Sequence, residues 1–249
     1  MLLQVSTVLL LVALCMSQEY EWDHLVFTRQ WPQGVCMDFN HQHEGECFIP
    51  SDIKSWTIHG IWPSEGTAHG PSDCKMSTPF DENAIKSLLP ALHHFWPSYK
   101  ANQPMTGFWK HEWEKHGRCA SSLPSLSGEA NYFGRTIQLH QFYDIDSVLS
   151  KNGIVPSDDK EYNYDDIMNA MSEGFGHPVS IQCFHNSLTG KQYIEQIEMC
   201  IGKDLKVMDC PTRLKYIPHH RYRLLKRSNG GMCSQNKPIY IPLIQHSGQ

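Results

Sequence analysis

After its first 17 residues, the 249-residue chain has no apolar stretch long enough to cross a bilayer, which takes about 20 residues. It has no low-complexity tract and no repeated period, so neither a disordered nor a solenoid protein is expected. No two cysteines form a CxxC pair, which argues against a zinc site built on thiolates. The sequence also has no Asn-x-Ser/Thr sequon, so a sugar on asparagine is not available as a tag for delivery to lysosomes.

The N-terminal segment has the form of a cleaved signal peptide. Residues 1–17 carry no charged side chain, contain the apolar run Val8–Leu14 and end in small residues. That run is too short to span a bilayer. We therefore expect residues 1–17 to be removed and residues 18–249 to form a single soluble domain, which is either secreted or kept in the endolysosomal lumen.

The net charge of −5 argues against a tight nucleic-acid binder, because such proteins are normally basic. An enzyme that must release a polyanion has no such need, so the charge does not exclude a nuclease. Between Pro211 and Met232 the chain carries six Lys and Arg side chains and no acidic one. This stretch either attracts a polyanion or is a solvated loop without a partner.

Removal of residues 1–17 takes Cys15 away and leaves eight cysteines. An even number in a secretory chain predicts four disulfides formed in an oxidising compartment. Spacing alone does not give the pairing. The eight are Cys36, Cys47, Cys74, Cys119, Cys183, Cys200, Cys210 and Cys233.

Alternation and helical periodicity predict strands towards both ends of the mature chain and helices between them. Because the order lacks a regular β-α-β rhythm, we expect an α+β fold in which an antiparallel sheet packs against several helices. The predicted strands are 25–31, 55–62, 179–184 and 192–201. The predicted helices are 81–96 with an interruption at Pro90, 108–116 ending at Gly117, 131–143, 146–149, and 164–173 ending at Gly174.

The segment FWKHEWEKHG, residues 108–117, is the strongest local signal. On a regular helix, with about 100° per residue, four of its side chains share an arc of about 140° and make a site that binds an anion and moves a proton. These side chains are His111, Glu112, Lys115 and His116.

Within that segment, Glu112 is placed to orient His116 or to favour its charged form, and the helix dipole also favours a cation at His116. The alternative is a solvated amphipathic helix. A zincin metalloprotease is excluded, because its HExxH motif needs histidines four residues apart, whereas His111 and His116 are five apart.

The second signal is WTIHGIWP, residues 56–63. Alternation along a strand places Trp56 and Ile58 on one face and His59 and Ile61 on the other. His59 is then either a hydrogen-bonded core residue or an imidazole that faces a cleft, with Trp62 as a surface on which a base can stack.

Together the two segments, WTIHGIWP and FWKHEWEKHGRC, closely resemble the two active-site segments of the ribonuclease T2 family. The strand that ends in Gln30-Trp31-Pro32 shortly before Cys36 is similar to the family's opening strand, and the cysteine spacing fits its animal members. The resemblance covers nearly the whole mature chain. It implies a disulfide-stapled α+β fold and a single catalytic ribonuclease domain over residues 18–249.

The resemblance also implies a reaction. Single-stranded RNA would be cleaved by transesterification, in which the 2′-hydroxyl attacks phosphorus and leaves 2′,3′-cyclic phosphate and 5′-hydroxyl ends. Two imidazoles can supply the proton transfers, so no metal and no other cofactor is expected. DNA is not a substrate because it lacks the nucleophile. We further expect an acidic optimum, a monomer and no membrane partner.

By the same resemblance, His116 would be the general base and His59 the general acid. His111 would bind phosphate, while Lys115 and Glu112 would stabilise the transition state.

Base contacts are implied as well: Trp62 and Phe108 would hold one base and Gln30 the other. Aromatic stacking tolerates any base, so low base specificity is expected. Many relatives have an aspartate after the Trp-Pro of the first motif, where this chain has Ser64, so no particular base preference is carried over.

The family pattern suggests a disulfide pairing, in which the bridge between Cys74 and Cys119 would fix the loop after His59 to the end of the His116 helix. The suggested pairs are Cys36–Cys47, Cys74–Cys119, Cys183–Cys233 and Cys200–Cys210.

The alternative function is a secreted signalling or RNA-binding protein that keeps the fold without catalysis. The five implied catalytic and phosphate-binding residues are all present, which favours an enzyme. A secreted metal hydrolase is a third reading, which activity in the presence of a chelator would exclude.

Overall fold

The computed structural model describes the chain in five ranges. They are residues 20–42, 46–66, 68–75, 79–211 and 230–246. The expected signal peptide and most of the basic stretch lie outside the described residues. Within these five ranges, no helix has the length and apolar character needed to cross a membrane.

One sheet runs through the domain, with strand order β3-β2-β1-β6-β5-β8. The short strands β7 and β9 also pair with β6, and β4 pairs with β9. All pairings are antiparallel except that of β6 with β9, so the predicted antiparallel sheet has one parallel addition. The strands are β1 (His24–Gln30), β2 (Thr57–Glu65), β3 (Ala68–His69), β4 (Glu161–Tyr162), β5 (Ser180–His185), β6 (Gln192–Gly202), β7 (Val207–Met208), β8 (Gly230–Met232) and β9 (Ile239–Tyr240).

Helices occupy most of the chain between β3 and β5, which confirms the predicted α+β class. The α-helices are α1 (Pro32–Gln42), α2 (Leu89–Phe95), α3 (Met105–Glu112), α4 (Arg118–Ala120), α5 (Glu129–Phe142), α6 (Ile145–Lys151) and α7 (Tyr164–Phe175). Two 3-10 helices lie at Glu82–Leu88 and Pro124–Leu126, and a π-helical turn lies at Trp113–Gly117.

Both predicted proline breaks lie at element boundaries, whereas the predicted helix end at Gly174 is wrong. Strand β1 ends just before Pro32, which begins α1, and Pro90 lies in the first turn of α2, where the 3-10 helix gives way to an α-helix. Proline fits there because its missing N–H has no acceptor in the first turn. Helix α7 runs past Gly174 and ends at Gly176, whose φ of 78° makes the left-handed cap.

Alternate residues of β1 and β6 build the hydrophobic core between the sheet and the helices. Leu25 and Phe27 of β1 and Ile197 and Met199 of β6 are each fully buried. They belong to one cluster with aromatic side chains from the connecting segments and helices, namely Trp31, Trp96, Trp109, Tyr132 and Phe133. This core holds the sheet at a fixed position relative to α3 and α5.

The other face of the same strands carries polar side chains that are also buried. The β1–β6 register places Thr28 opposite Glu198 and Gln30 opposite Gln196, and all four are at most 7% exposed. Gln182 of β5 donates to the Glu198 carboxylate. Buried polar groups need such partners, because leaving them unpaired costs free energy. Alternation predicts the apolar face alone, so the burial of this polar row was not foreseen.

A buried guanidinium fastens β1 to the end of α5. Arg29 is 1% exposed and donates to the carbonyl oxygens of His140, at 2.9 Å, and Tyr143. These carbonyls are at the C-terminus of α5, where backbone acceptors lack partners within the helix. Burial lowers the pKa of Arg29 to about 9, although the charges of Asp146 and Asp144 oppose that shift. Arg29 therefore stays a cation at neutral pH.

The structure contains four disulfides, and their pairing is the one that the resemblance implies. Next to one of them, the backbone N–H of Asp73 donates to the carbonyl of Lys115 at 2.8 Å, so the loop after β3 is joined twice to the α3–α4 region. The pairs are Cys36–Cys47, Cys74–Cys119, Cys183–Cys233 and Cys200–Cys210.

Removing different disulfides should cost different amounts of stability. The Cys74–Cys119 bridge spans 45 residues and Cys200–Cys210 spans 10. Because a longer loop gains more entropy when opened in the unfolded chain, replacing both cysteines by serine should cost about 4 kcal/mol in the first case and about 3 kcal/mol in the second. Urea unfolding of the two double variants measures this. A larger loss for the short loop would contradict the expectation.

Candidate active site

His59 occupies a β-bulge in β2. The pairing of β1 with β2 shifts, so that Thr28 is opposite Gly60 and Arg29 is opposite Ile58, which leaves His59 as the extra residue. A bulge bends the strand and redirects the extra side chain, and such bulges are common beside active sites. His59 is accordingly half-buried rather than part of the core.

The bulge also changes which face the following residues share. Ile61 was predicted to lie on the same face as His59, and this is wrong: Ile61 is fully buried in the same hydrophobic cluster as Ile58 and Trp56. The ring of Trp62 instead lies edge-on to the His59 imidazole, with centroids 5.1 Å apart. Strict alternation fails here because the inserted residue shifts its phase by one.

Aromatic side chains from the helical layer hold the bulged backbone in place. The indole N–H of Trp96 donates to the carbonyl of His59 at 2.8 Å, and the Tyr132 hydroxyl donates to the carbonyl of Ile61 at 2.9 Å. Trp109 in turn donates to the carbonyl of Trp96 at 2.8 Å. These bonds compensate for the disturbed strand pairing, so the position of His59 is fixed from the helical side.

A hydrogen bond between Trp62 and Glu112 joins β2 to α3. The Trp62 indole N–H donates to Glu112 Oε2 at 2.9 Å. A Cβ on Gly60 would lie 2.2 Å from Trp62 Nε1 and 2.4 Å from that carboxylate oxygen. Only glycine therefore fits at position 60, a role that the motif HGIW carries but that sequence reasoning missed.

The helix that carries the segment FWKHEWEKHG does not end where it was predicted to end. From α3 the chain continues through the π-helical turn, Trp113–Gly117, directly into α4. Gly117 is required for packing rather than termination, since a Cβ there would lie 2.3 Å from the Trp113 ring. The widened turn carries Lys115 and His116, so the arc predicted for a regular α-helix does not apply.

Glu112 is a buried carboxyl that faces Trp62, not His116 as the spacing had suggested. It is 2% exposed, and burial raises its pKa to about 7, although the Trp62 hydrogen bond and the charge of Lys115 act in the opposite direction. The carboxyl therefore takes up a proton in mildly acidic solution.

His116 is held neutral, which corrects the expectation that its charged form is favoured. Burial lowers its pKa to about 3, and the positive charges of Lys115, His111 and His59 act in the same direction. Its ring packs against the Trp62 indole, with ring centroids 5.3 Å apart. The unprotonated imidazole is a ready proton acceptor.

The described site brings most of the predicted residues together around the Trp62 indole. His59 and His116 both contact this ring, and Phe108 lies 6.2 Å from His59 between ring centroids. His111 is exposed at the edge, and its pKa is lowered by partial burial and by Lys115. The arrangement combines a proton acceptor, a second imidazole and groups able to bind an anion.

Gln30 is less accessible than its predicted contact with a base requires. It is 5% exposed and pairs with Gln196 across β1 and β6. Gln196 was not singled out from the sequence, yet its Oε1 lies 2.9 Å from His59 Nδ1. A glutamine on a strand carries no local signal of such a contact. Across the five described ranges, no group of three or more His, Cys, Asp and Glu side chains is placed to hold a metal ion.

Comparisons with known proteins agree with this geometry. The model of the ribonuclease T2 family matches residues 22–210. Ribonuclease Oy of Magallana gigas is 37% identical over 226 residues, which are 90% of this chain and 98% of that protein. The crystal structure of human RNase T2 superposes with a TM-score of 0.71 at 34% identity, over 89% of this chain and 99% of that one. RNase NT in complex with 5′-AMP gives a TM-score of 0.71 at 28% identity, over 90% and 100%.

Substituting Gly60 should disrupt the Trp62–Glu112 contact. In Gly60→Ala the new methyl group would displace both partners, so we expect a shifted indole N–H resonance of Trp62 in a nitrogen-15 NMR spectrum and a loss of stability of about 1–3 kcal/mol. The matched control is Gly134→Ala in α5, where the nearest atom is 3.7 Å away. An unchanged indole resonance in Gly60→Ala would contradict the assigned contact.

The raised pKa of Glu112 predicts a pH-dependent stability difference. Below pH 4.5 the carboxyl is protonated in both the folded and the unfolded chain, whereas above about pH 7 the folded chain must bury a charge. Relative to wild type, Glu112→Gln should therefore gain up to about 3 kcal/mol of unfolding free energy as pH rises through that window. Denaturant unfolding at both ends of the window measures it.

The control for this experiment is Glu114→Gln, because Glu114 lies on the next turn but is partly exposed. It should show a smaller change than Glu112→Gln. A constant difference between Glu112→Gln and wild type across the window would show that Glu112 ionises as it does in the unfolded chain.

Proposed function

The chain belongs to the ribonuclease T2 family and is an endoribonuclease, and from this premise we propose that it cleaves single-stranded RNA by transesterification without a metal ion. The observation that carries the proposal is the placement of His59 and His116 against one indole, at 5.1 and 5.3 Å between ring centroids. Two imidazoles at one site can remove the proton of the 2′-hydroxyl and protonate the leaving 5′-oxygen.

His116 is the general base. Its lowered pKa keeps the imidazole unprotonated across mildly acidic and neutral pH, so it can accept the 2′-hydroxyl proton. A base with so low a pKa is weak in the free enzyme. A bound phosphodiester supplies a negative charge beside it, and a nearby opposite charge favours the protonated imidazole. Substrate binding therefore strengthens the base at the moment when it is needed.

His59 is the general acid, and it delivers its proton to the 5′-oxygen. The cationic side chains on the helical side stabilise the negative charge that develops on the phosphorane. His111 binds the phosphate, while Lys115 and Glu112 stabilise the transition state. Because Glu112 accepts from Trp62 and takes up a proton near pH 7, its part includes holding the indole against which both imidazoles lie.

The aromatic rings explain why low base specificity is proposed. Trp62 and Phe108 flank His59 and offer ring faces to one base, and stacking on such faces is worth about 1–3 kcal/mol for any base. Gln30 is assigned to the second base, although only 5% of this residue is exposed. DNA is not a substrate because it lacks the 2′-hydroxyl that attacks phosphorus.

An acidic optimum follows from the charge on His111. Partial burial and Lys115 lower the pKa of this side chain, so its cationic, phosphate-binding form needs acidic solution. Four disulfides fit an oxidising compartment. We propose a monomer that is secreted or acts in the endolysosomal lumen.

The central test replaces each imidazole. His59→Ala and His116→Ala should each lower the rate of cleavage of a short single-stranded RNA by about 10²–10⁴-fold at about pH 5 in EDTA. The wild-type products should carry 2′,3′-cyclic phosphate and 5′-hydroxyl ends, as read by mass spectrometry. His177→Ala is the control, because His177 pairs with Asp209 on the surface.

Two outcomes would overturn the proposal. Well-folded wild-type protein that does not cleave RNA would mean that the fold serves binding or signalling. Activity that EDTA abolishes would mean a metal-dependent hydrolase.

A further inference from the structure

Strand β6 contains a second bulge, close to His59. The β5–β6 pairing shifts, so that Gln182 is opposite Gln196 and Cys183 is opposite Ile194, which leaves Glu195 as the extra residue. At a bulge, consecutive side chains no longer project strictly to opposite faces. Gln196 Nε2 can therefore donate to Glu195 Oε1, its immediate neighbour in sequence, at 3.1 Å.

This contact determines which end of the Gln196 amide faces His59. A carboxylate oxygen accepts hydrogen bonds, so the NH₂ end of the amide is turned to Glu195 and the carbonyl end is turned to His59. Gln196 Oε1 and His59 Nδ1 are 2.9 Å apart. Since an amide carbonyl accepts but cannot donate, Nδ1 of His59 must carry a proton.

Gln196 and Glu195 are well placed to act as a rigid support for the His59 ring. Gln196 is 3% exposed and Glu195 is 4% exposed, so water competes little for either side chain. The backbone N–H of Trp31 donates to the Glu195 carbonyl at 2.8 Å, which fixes β6 at this point. His59 lies on β2 and Gln196 on β6, with β1 between them, so the two side chains bridge about 10 Å of sheet.

We propose that Gln196 is a positioning residue that fixes the tautomer and orientation of His59, and that Glu195 orients Gln196 in turn; this rests on the proposed function. With Nδ1–H bonded to the amide, Nε2 is the nitrogen that faces the substrate. The Nε2–H bond breaks as its proton moves to the leaving 5′-oxygen, and the phosphorus–oxygen bond to that oxygen breaks. The ring that remains is the neutral Nδ1–H tautomer, which keeps its hydrogen bond to Gln196 without rotating.

The test compares two substrates whose leaving groups differ in the need for an acid. A dinucleotide has a 5′-hydroxyl leaving group that must be protonated, whereas a nucleoside 3′-(4-nitrophenyl phosphate) releases a phenolate that needs no proton. Gln196→Met keeps the side-chain volume but removes the acceptor. It should lower kcat on the dinucleotide by roughly 10-fold, a part of the about 10²–10⁴-fold effect of a general acid, and leave kcat on the nitrophenyl ester within about 2-fold.

Gln192→Met is the matched control on the same strand. Gln192 is fully buried and donates to the carbonyls of Ser234 and Lys237, away from His59. Any rate change that comes from loosening β6 should be equal for the two substrates in this variant.

Two further measurements separate positioning from general stability. In a His59→Ala background, Gln196→Met should produce no additional loss on the dinucleotide, because the residue that it supports is gone. Glu195→Gln, which no longer selects one end of the Gln196 amide, should cause a smaller loss with the same substrate dependence. If Gln196→Met does not fold, Glu195→Gln carries the same comparison.

An equal loss on both substrates, or a loss that adds to that of His59→Ala, would overturn the positioning role. Wild-type protein that cleaves neither substrate would overturn the proposed function itself, so the two failures are distinguishable.

Discussion

The site depends on one hydrogen bond, which runs from the Trp62 indole to the buried Glu112 carboxyl. It joins β2, which carries His59, to the helical stretch that carries His116. Both imidazoles lie against the bonded indole, so its position sets their relation to each other. The close approach exists only because residue 60 has no side chain. The Cys74–Cys119 bridge adds a covalent link between the loop after β3 and α4, which continue the same two parts of the chain.

Burial then sets the charges in a way that sequence spacing did not suggest. Glu112 and His116 are both driven towards their neutral forms, one by a raised and the other by a lowered pKa. The positive charge lies instead at Lys115 and, in acidic solution, also at the exposed His111. A neutral interior with a cationic edge suits a substrate that carries negative charge. The bound phosphate attracts the protonated form of His116 and so makes this imidazole a better base. Burying Glu112 and His116 lowers the stability of the folded chain, which is a common cost of functional sites.

Much of this could be read from the sequence, since both motifs are long and local. The motifs predicted the residues around Trp62, and alternation and helical periodicity predicted the main strands and helices. What failed depends on contacts between distant segments. The bulge at His59 arises from the pairing of β1 with β2, and the helix that begins at Pro32 packs on β5 and β6. The π-helical turn at Trp113–Gly117 is fixed by packing against Tyr132, which no periodicity within residues 108–117 reveals.

The irregular points of the sheet coincide with His59, the proposed general acid, and with Glu195, which is proposed to orient the supporting Gln196. His59 sits at the bulge of β2 and Glu195 at that of β6, and regular β1 lies between them. A regular β2 would have kept His59 and Ile61 on one face, and a regular β6 would have sent Glu195 and Gln196 to opposite faces. Each bulge therefore makes a contact that the regular pattern forbids. Local rules of sequence reading fail at these positions because the chemistry requires the exception.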